Sequence, residues 1–248
     1  MNLILLESSD IDERGVAQLR DVRARHIHDV LRATVGTAVR IGIVDGPIGV
    51  GTIERIDTDH TQLVCVFAGD EPPPRPAVDL LLALPRPKVL RRLWPHLAAL
   101  GVGRVMLTNA AKVERNYFDS HYVRPDGFRP LLIEGLQQAR DTRVPQVTVH
   151  RQLRKLVEDE LDRLCPETVR LVADPAATQS IRETLAPSAQ VQDRRVLLAI
   201  GPEGGWNDFE RQLLRDHGFL EVSLGPRTLA TTTACIALVT LVHDALNQ

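Results

Sequence analysis

Val196-Leu197-Leu198-Ala199-Ile200 runs directly into Gly201-Pro202-Glu203-Gly204-Gly205-Trp206, and a helical pattern resumes at Asp208. Five consecutive apolar residues ahead of a glycine turn read as a fully buried strand leaving a sheet. The same order recurs further along, where Leu220 to Leu224 meets Gly225-Pro226-Arg227 and a helical stretch spans Thr231 to Leu246. Buried strands that alternate with helices belong to parallel sheets covered on both faces.

Working outward, Val78 to Leu84, Arg104 to Leu107 and Val169 to Ala173 supply three more strands of this kind. Helical patterns fall at Lys88 to Leu100, around Leu131 to Ala139, and over Leu153 to Leu164, Ser180 to Leu185 and Asp208 to His217. Pro95 should interrupt the first of these helices, because proline lacks the N–H that a helix interior needs. Upstream, the pattern changes at Glu71-Pro72-Pro73-Pro74-Arg75-Pro76, which predicts an extended linker. Before it, Val39 to Ile43, Val50 to Ile56 and Leu63 to Phe67 read as short strands separated by Asp45-Gly46-Pro47 and Asp57-Thr58-Asp59. Close-spaced strands of this type predict a small β-barrel. The expected division is therefore 1–70 as a barrel, 71–77 as a linker and 78–248 as an α/β domain.

Composition narrows the function. The 248 residues carry 30 basic and 32 acidic side chains, a formal charge of −2. Residues 86–154 hold 13 basic and 5 acidic groups, an excess of +8 in an otherwise acidic chain, and 27 of the 30 basic residues are arginine. The arginine fork suits phosphate and base edges, so a nucleic-acid partner is expected. No apolar run reaches the roughly 18 to 20 residues that a membrane helix needs. Three scattered cysteines, Cys65, Cys165 and Cys235, argue for reduced thiols in the cytoplasm. With no metal-binding spacing among cysteines or histidines, neither a metal nor a membrane is expected.

The two glycine junctions, each holding Gly-Pro and set at the ends of two adjacent strands, predict a ligand crevice where backbone groups approach closely. Gly49-Val50-Gly51 and Gly101-Val102-Gly103 are not completed to a dinucleotide fingerprint, and no P-loop is present. That disfavours both nucleotide classes.

Ile200-Gly201-Pro202-Glu203-Gly204-Gly205 followed by Ser223-Leu224-Gly225-Pro226-Arg227-Thr228-Leu229 resembles the paired signature of the RsmE family. These are 16S ribosomal RNA uridine N3-methyltransferases of the SPOUT superfamily. Ala83-Leu84-Pro85-Arg86-Pro87-Lys88, Leu100-Gly101-Val102, the Gln138 to Pro145 stretch and His26 to Gly36 extend the resemblance over nearly the whole chain. It implies an α/β fold with a SPOUT-type trefoil-knotted parallel sheet, preceded by a PUA-like β-barrel for RNA. It implies S-adenosylmethionine as cofactor, 16S rRNA or the 30S subunit as partner, and a homodimer. Cofactor-binding residues would be Ala173, Ile200, Gly201, Pro202, Gly204, Gly205, Ser223, Leu224, Gly225 and Leu229. The chain departs from the family at Ala230 and Thr232, where arginine and glutamate are usual, and at His96 and Ala99, where lysine and glutamate are usual. A non-catalytic homologue, or an enzyme with another RNA target, therefore stays open.

Methylation at uracil N3 requires loss of its proton, which places negative charge on the ring and its two carbonyl oxygens. Arg227 is the candidate cation for that charge, with a loop-bracing salt bridge as its other possible role. Glu203 is the candidate to orient the base or accept the proton, or else to bond backbone N–H groups. Two basic faces, Arg25, His28 and Arg32 beside an apolar stripe of Ile27, Val30 and Leu31, and Arg86, Lys88, Arg91 and Arg92 opposite Leu90, Leu93, Trp94 and Leu97, are candidate RNA contacts or solvated surface. The final helix carries almost no polar side and is expected to be buried nearly all round, in the monomer core or against a second subunit.

Overall fold

A computed structural model of the chain describes residues 2–186 and 195–246. The chain divides into two compact units: residues 1–75 with 132–144, and residues 76–131 with 145–248. The return of 132–144 to the first unit is absent from the sequence reading, which placed this segment wholly in the α/β domain.

The first unit holds strands β1 (Ile4–Leu6), β2 (Val16–Leu19), β3 (Ala38–Ile43), β4 (Ile48–Ile56) and β5 (Thr61–Phe67), in the order β1-β3-β4-β5-β2. All pairs are antiparallel except β1 with β3. The sheet curls into a half-barrel rather than the expected barrel, because β1 and β2 stay at opposite edges with no pairing between them among the described residues. Alternation along β4 sends Gly49, Gly51 and Ile53 inward, and Ile4, Leu6, Leu19, Ile41, Ile53 and Leu63 form the core. The segment 132–144 is tied in through Thr142, whose Oγ1 donates to the Gly46 carbonyl (2.7 Å), and through the Asp45 carboxylate, which accepts the Val144 N–H (2.9 Å).

Helix α1 (Val22–Arg25) starts on Asp21, whose carboxylate accepts the Arg23 N–H (2.8 Å), and passes into one π turn over His26–Val30. Arg32, with φ +48°, ends it in the left-handed region. Only Ile27 of the expected apolar stripe is buried. Val30 and Leu31 are 64% and 42% exposed, because the wider π turn rotates them off the face that Ile27 buries.

In the second unit six strands lie in the order β11-β9-β10-β6-β7-β8, every pair parallel: β6 (Val78–Ala83), β7 (Val102–Thr108), β8 (Gln146–His150), β9 (Val169–Ala173), β10 (Val196–Ile200) and β11 (Leu220–Val222). β6 and β10 are buried throughout and sit at the centre, as continuous apolar runs require. The one charge in β6, Asp79, pairs with Arg195 (2.7 Å), which also donates to the Pro76 carbonyl (2.9 Å). β8 is missing from the sequence reading, since its alternating polar residues mark an exposed edge.

Helix α2 (Pro87–Ala99) continues through Pro95, contrary to expectation. Its buried face supplies the compensation: Trp94 packs against Phe128 of α3 (Pro125–Ala139), ring centroids 5.4 Å apart and tilted by 44°, and its indole N–H donates to the Tyr122 carbonyl (3.0 Å). α3 likewise tolerates Pro130 and begins well before the expected Leu131. The stretch Leu153 to Leu164 is helical but broken into α4 (Leu153–Lys155), a π turn (Leu156–Glu160) and α5 (Leu161–Leu164). α6 (Ile181–Leu185), α7 (Asp208–Asp216) and α8 (Thr231–Leu246) complete the unit. α8 buries Cys235, Leu238, Val239 and Val242 but not its whole circumference: Thr233, Thr240 and Leu241 are exposed, Leu241 by 43%. Burial pushes the Cys235 thiol up to about 12. Among the described residues no helix is long and apolar enough to cross a membrane.

Candidate active site

The exits of β9, β10 and β11 converge on a cavity of about 420 Å³. Its wall is built by Ala173 to Ala176, Ile200 to Trp206, Val222, Leu224, Gly225, Arg227 to Leu229, and Thr231, Ala234 and Leu238 of α8, with Lys112 and Arg211 at the polar side. Contrary to expectation, the two glycine loops do not follow adjacent strands. β9 lies between β10 and β11, so its own exit, Ala173-Asp174-Pro175, forms the floor between them.

Nine of the ten expected cofactor residues line the cavity: Ala173, Ile200, Gly201, Pro202, Gly204, Gly205, Leu224, Gly225 and Leu229. Ser223 does not. Its Oγ accepts the Gly225 N–H (3.0 Å), and it lines a second cavity of about 550 Å³ with residues 177–183 and Leu241. The bond helps hold Gly225 at φ +100°, a conformation that side chains with a Cβ adopt only under strain. Trp206 closes the first loop, packed on Gly201, and its buried indole N–H has no partner among the described residues.

Both candidate catalytic side chains reach the cavity. Arg227 is exposed and makes no hydrogen bond or ion pair among the described residues, so no salt bridge braces its loop. Glu203 Oε1 accepts the backbone N–H of Arg86 (3.3 Å), the residue that precedes α2. Asp174 is neutralised by Arg211 (3.4 Å) and accepts the Ala176 N–H (2.8 Å). That leaves Lys112 and Arg227 as cations without a carboxylate partner in the wall.

The sequence reading missed Lys112, Asp174, Trp206 and Glu210. Lys112 lies on the loop after β7, and its Nζ donates to the Gly204 carbonyl (2.6 Å). Glu210, only 5% exposed, accepts the Ala111 N–H (2.6 Å) and the Asn207 N–H (2.9 Å), completing a capping box at the start of α7. Asn207 three residues before Glu210 was the legible signal for that box. Nothing local marked Lys112.

The candidate RNA residues fall in both units, each set solvent-facing. Arg25, His28 and Arg32 are exposed in the first unit, with His28 Nδ1 2.7 Å from Asp29. Arg86, Lys88, Arg91 and Arg92 are exposed at the start of α2, with Leu90, Leu93, Trp94 and Leu97 buried behind them. Beside them the Tyr117 hydroxyl donates to Glu114 (2.8 Å), which holds this phenol above its ordinary value while Arg86 pulls it the other way.

Comparison with known proteins gives these features a context. The profile of the RNA methyltransferase domain family matches residues 71–243. The ribosomal RNA small subunit methyltransferase E of Treponema pallidum is 30% identical over 99% of this chain and 92% of its own. That of Borreliella burgdorferi, enzyme E 1, is 24% identical over 96% of this chain and 95% of its own. In fold, the chain matches ribosomal RNA small subunit methyltransferase E from Neisseria gonorrhoeae, solved bound to S-adenosyl methionine, with a TM-score of 0.74 at 18% identity over 98% of this chain and 97% of that one. It matches a Legionella pneumophila protein, solved with bound SAM, at 0.76 and 22% over 99% and 98%. Both glycine loops lie within the matched domain, and the chain belongs to the ribosomal RNA small subunit methyltransferase E family of RNA methyltransferases.

Proposed function

We propose that this chain is a cytoplasmic enzyme that transfers a methyl group from S-adenosylmethionine to N3 of a uridine in the 16S rRNA of the small ribosomal subunit. The observation that carries the reading is the cavity itself, walled by backbone from three strand exits, with a free guanidinium at its edge, in a chain of this family. Its volume of about 420 Å³ lies in the range of ligand pockets, roughly 300 to 1,000 Å³.

The residues present fit the cofactor. Ile200, Val222, Leu224, Leu229 and Leu238 give apolar walls for a nucleoside, and the backbone of Gly201, Pro202, Gly204, Gly205 and Gly225 gives close polar contact. The indole N–H of Trp206 is a buried donor that a ligand acceptor can satisfy. Bound there, S-adenosylmethionine supplies a sulfonium-activated methyl group. The protein's own contribution is then alignment and charge. Arg227 stabilises the negative charge that spreads over the uracil as N3 loses its proton. Glu203, with one oxygen on the Arg86 N–H, steadies the loop and offers its other oxygen to orient the base or take the proton through water. Lys88, Arg91 and Arg92, with Arg86 at the helix start, hold RNA phosphates, and Arg25, His28 and Arg32 do so in the first unit.

The reading includes the SPOUT knot, a PUA-like role for the half-barrel, and a homodimer. The knot is supported by the order β11-β9-β10-β6 and by α8 packing on β6, β10 and α2. Thr240 and Leu241, exposed in the mainly apolar stretch 234–242 of α8, are the surface a second subunit would cover. Calorimetry with S-adenosylmethionine, followed by methyl transfer to unmethylated 30S subunits and free 16S rRNA, tests the reading. Micromolar or tighter binding and transfer to at least one substrate are expected. Binding without transfer to either would overturn the catalytic reading, and no binding would overturn the cavity assignment.

A further inference from the structure

Two bonds tie the segment that leaves β7 to the first glycine loop and to the helix that follows it. Lys112 Nζ donates to the Gly204 carbonyl at 2.6 Å, and the adjacent Ala111 N–H donates to Glu210 at 2.6 Å. Glu210 in turn accepts the Asn207 N–H, so the end of the loop is anchored by a buried, fully bonded carboxylate. Among the described residues the middle of the loop is held by its own turn bond, Gly205 N–H to the Pro202 carbonyl (2.8 Å), by the long Arg86 N–H bond to Glu203 (3.3 Å) and by the ammonium of Lys112, the one charged donor on its backbone. The lysine stem also crosses Gly204 closely: a Cβ on Gly204 would lie 2.7 Å from Lys112 Cδ. A methyl group on Gly204 would therefore push the lysine stem aside.

We propose that Lys112 is a positioning residue for the cofactor: a clasp that fixes the Gly201–Gly205 loop in the conformation that receives S-adenosylmethionine. The inference rests on the function proposed above and adds the residue that presets its binding loop. A charge-assisted bond to a backbone carbonyl is the stronger kind of hydrogen bond. Here it fixes the peptide whose neighbours line the cavity, so its energy goes into preorganisation rather than into global stability.

The test uses the full chain and four variants: Lys112→Met, which keeps the stem and removes the donor, Lys112→Arg, which keeps a donor, Gly204→Ala, which displaces the stem, and the Lys112→Met/Gly204→Ala double. Lys112→Met should weaken S-adenosylmethionine binding roughly tenfold, as loss of one charge-assisted bond implies. The rate at saturating cofactor should stay near wild type, a change in KM without kcat. Lys112→Arg should recover most of the affinity. Gly204→Ala should mimic Lys112→Met, and the double variant should be no worse than either single one, because both break the same bond. Without any ligand, amide exchange over residues 203–207 should quicken in Lys112→Met and return in Lys112→Arg, with the melting temperature unchanged.

Unaltered affinity and exchange in Lys112→Met would overturn the proposal. So would a fall in kcat at constant KM, which would make Lys112 a substrate contact, or additive losses in the double variant. If the wild-type chain bound no S-adenosylmethionine, the functional reading would fail, and the exchange measurement would still decide the clasp.

Discussion

Arg227→Ala separates chemistry from architecture because the structure leaves this side chain without a structural task. It is exposed, lines the cavity and makes no ion pair among the described residues. Truncating such a residue should change stability by no more than about 0.5 kcal/mol. If its guanidinium meets the charge on the deprotonated uracil, the loss should match that of an oxyanion donor, about 2.7 to 4 kcal/mol, or roughly 100- to 1,000-fold in the methyl-transfer step. Lysine keeps the charge without the planar fork and should recover only part of the rate. Single-turnover transfer at saturating cofactor and RNA, with calorimetric titration and a thermal melt on the same samples, measures the three quantities apart. A normal transfer rate in Arg227→Ala would refute the catalytic role. Parallel losses of cofactor affinity and melting temperature in both variants would refute the inference that the side chain braces nothing.

Three further outcomes follow from the same structure. Replacing Lys88, Arg91 and Arg92 by alanine should weaken RNA binding and flatten its salt dependence by roughly 0.7 to 0.9 in log–log slope per lost phosphate contact, with cofactor affinity constant; an unchanged slope would make this face plain solvated surface. Gly225→Val meets nothing within 4 Å of its Cβ but must hold φ +100°, at a cost of about 1 to 3 kcal/mol that should appear in cofactor affinity with a native circular dichroism spectrum; unchanged affinity would remove this loop from the site. Bonding to Arg23 holds the Asp21 carboxyl below its ordinary value, so its contribution to stability is complete above the unfolded-state value of 3.8 and is lost as pH falls through the lower folded value. Acid unfolding of Asp21→Asn should accordingly show a smaller loss of stability below pH 3.8, and an identical acid profile would contradict the pairing.

The α/β half was legible because its signals are local. Val196 to Ile200 and Val78 to Ala83 are apolar at every position but Asp79, and a run of that kind is compatible with few places other than the centre of a parallel sheet. Edge elements carry weaker signals: β1 has three residues, and β8 has five, three of them polar and none buried. Pro95 misled because helix breaking is a local cost of about 3 kcal/mol, and packing of the Trp94 face against Phe128 offsets it. In the site, most residues that share a loop with the glycines were found, Trp206 excepted. Lys112 was not, since a bond across 92 positions to a backbone carbonyl leaves no periodicity or spacing behind. Sheet order was equally invisible: that β9 enters between β10 and β11 is decided by long-range pairing, and it is what makes Asp174 part of the cavity.

The most direct test is to incubate the purified protein and S-adenosylmethionine with 30S subunits from cells lacking this methyltransferase activity, and to locate new methyl groups in 16S rRNA by nuclease digestion and mass spectrometry. The account predicts one new N3-methyluridine, absent when the cofactor is left out and strongly reduced with Arg227→Ala. A methyl group on another atom or another RNA, or none at all with a chain that binds the cofactor, would contradict it.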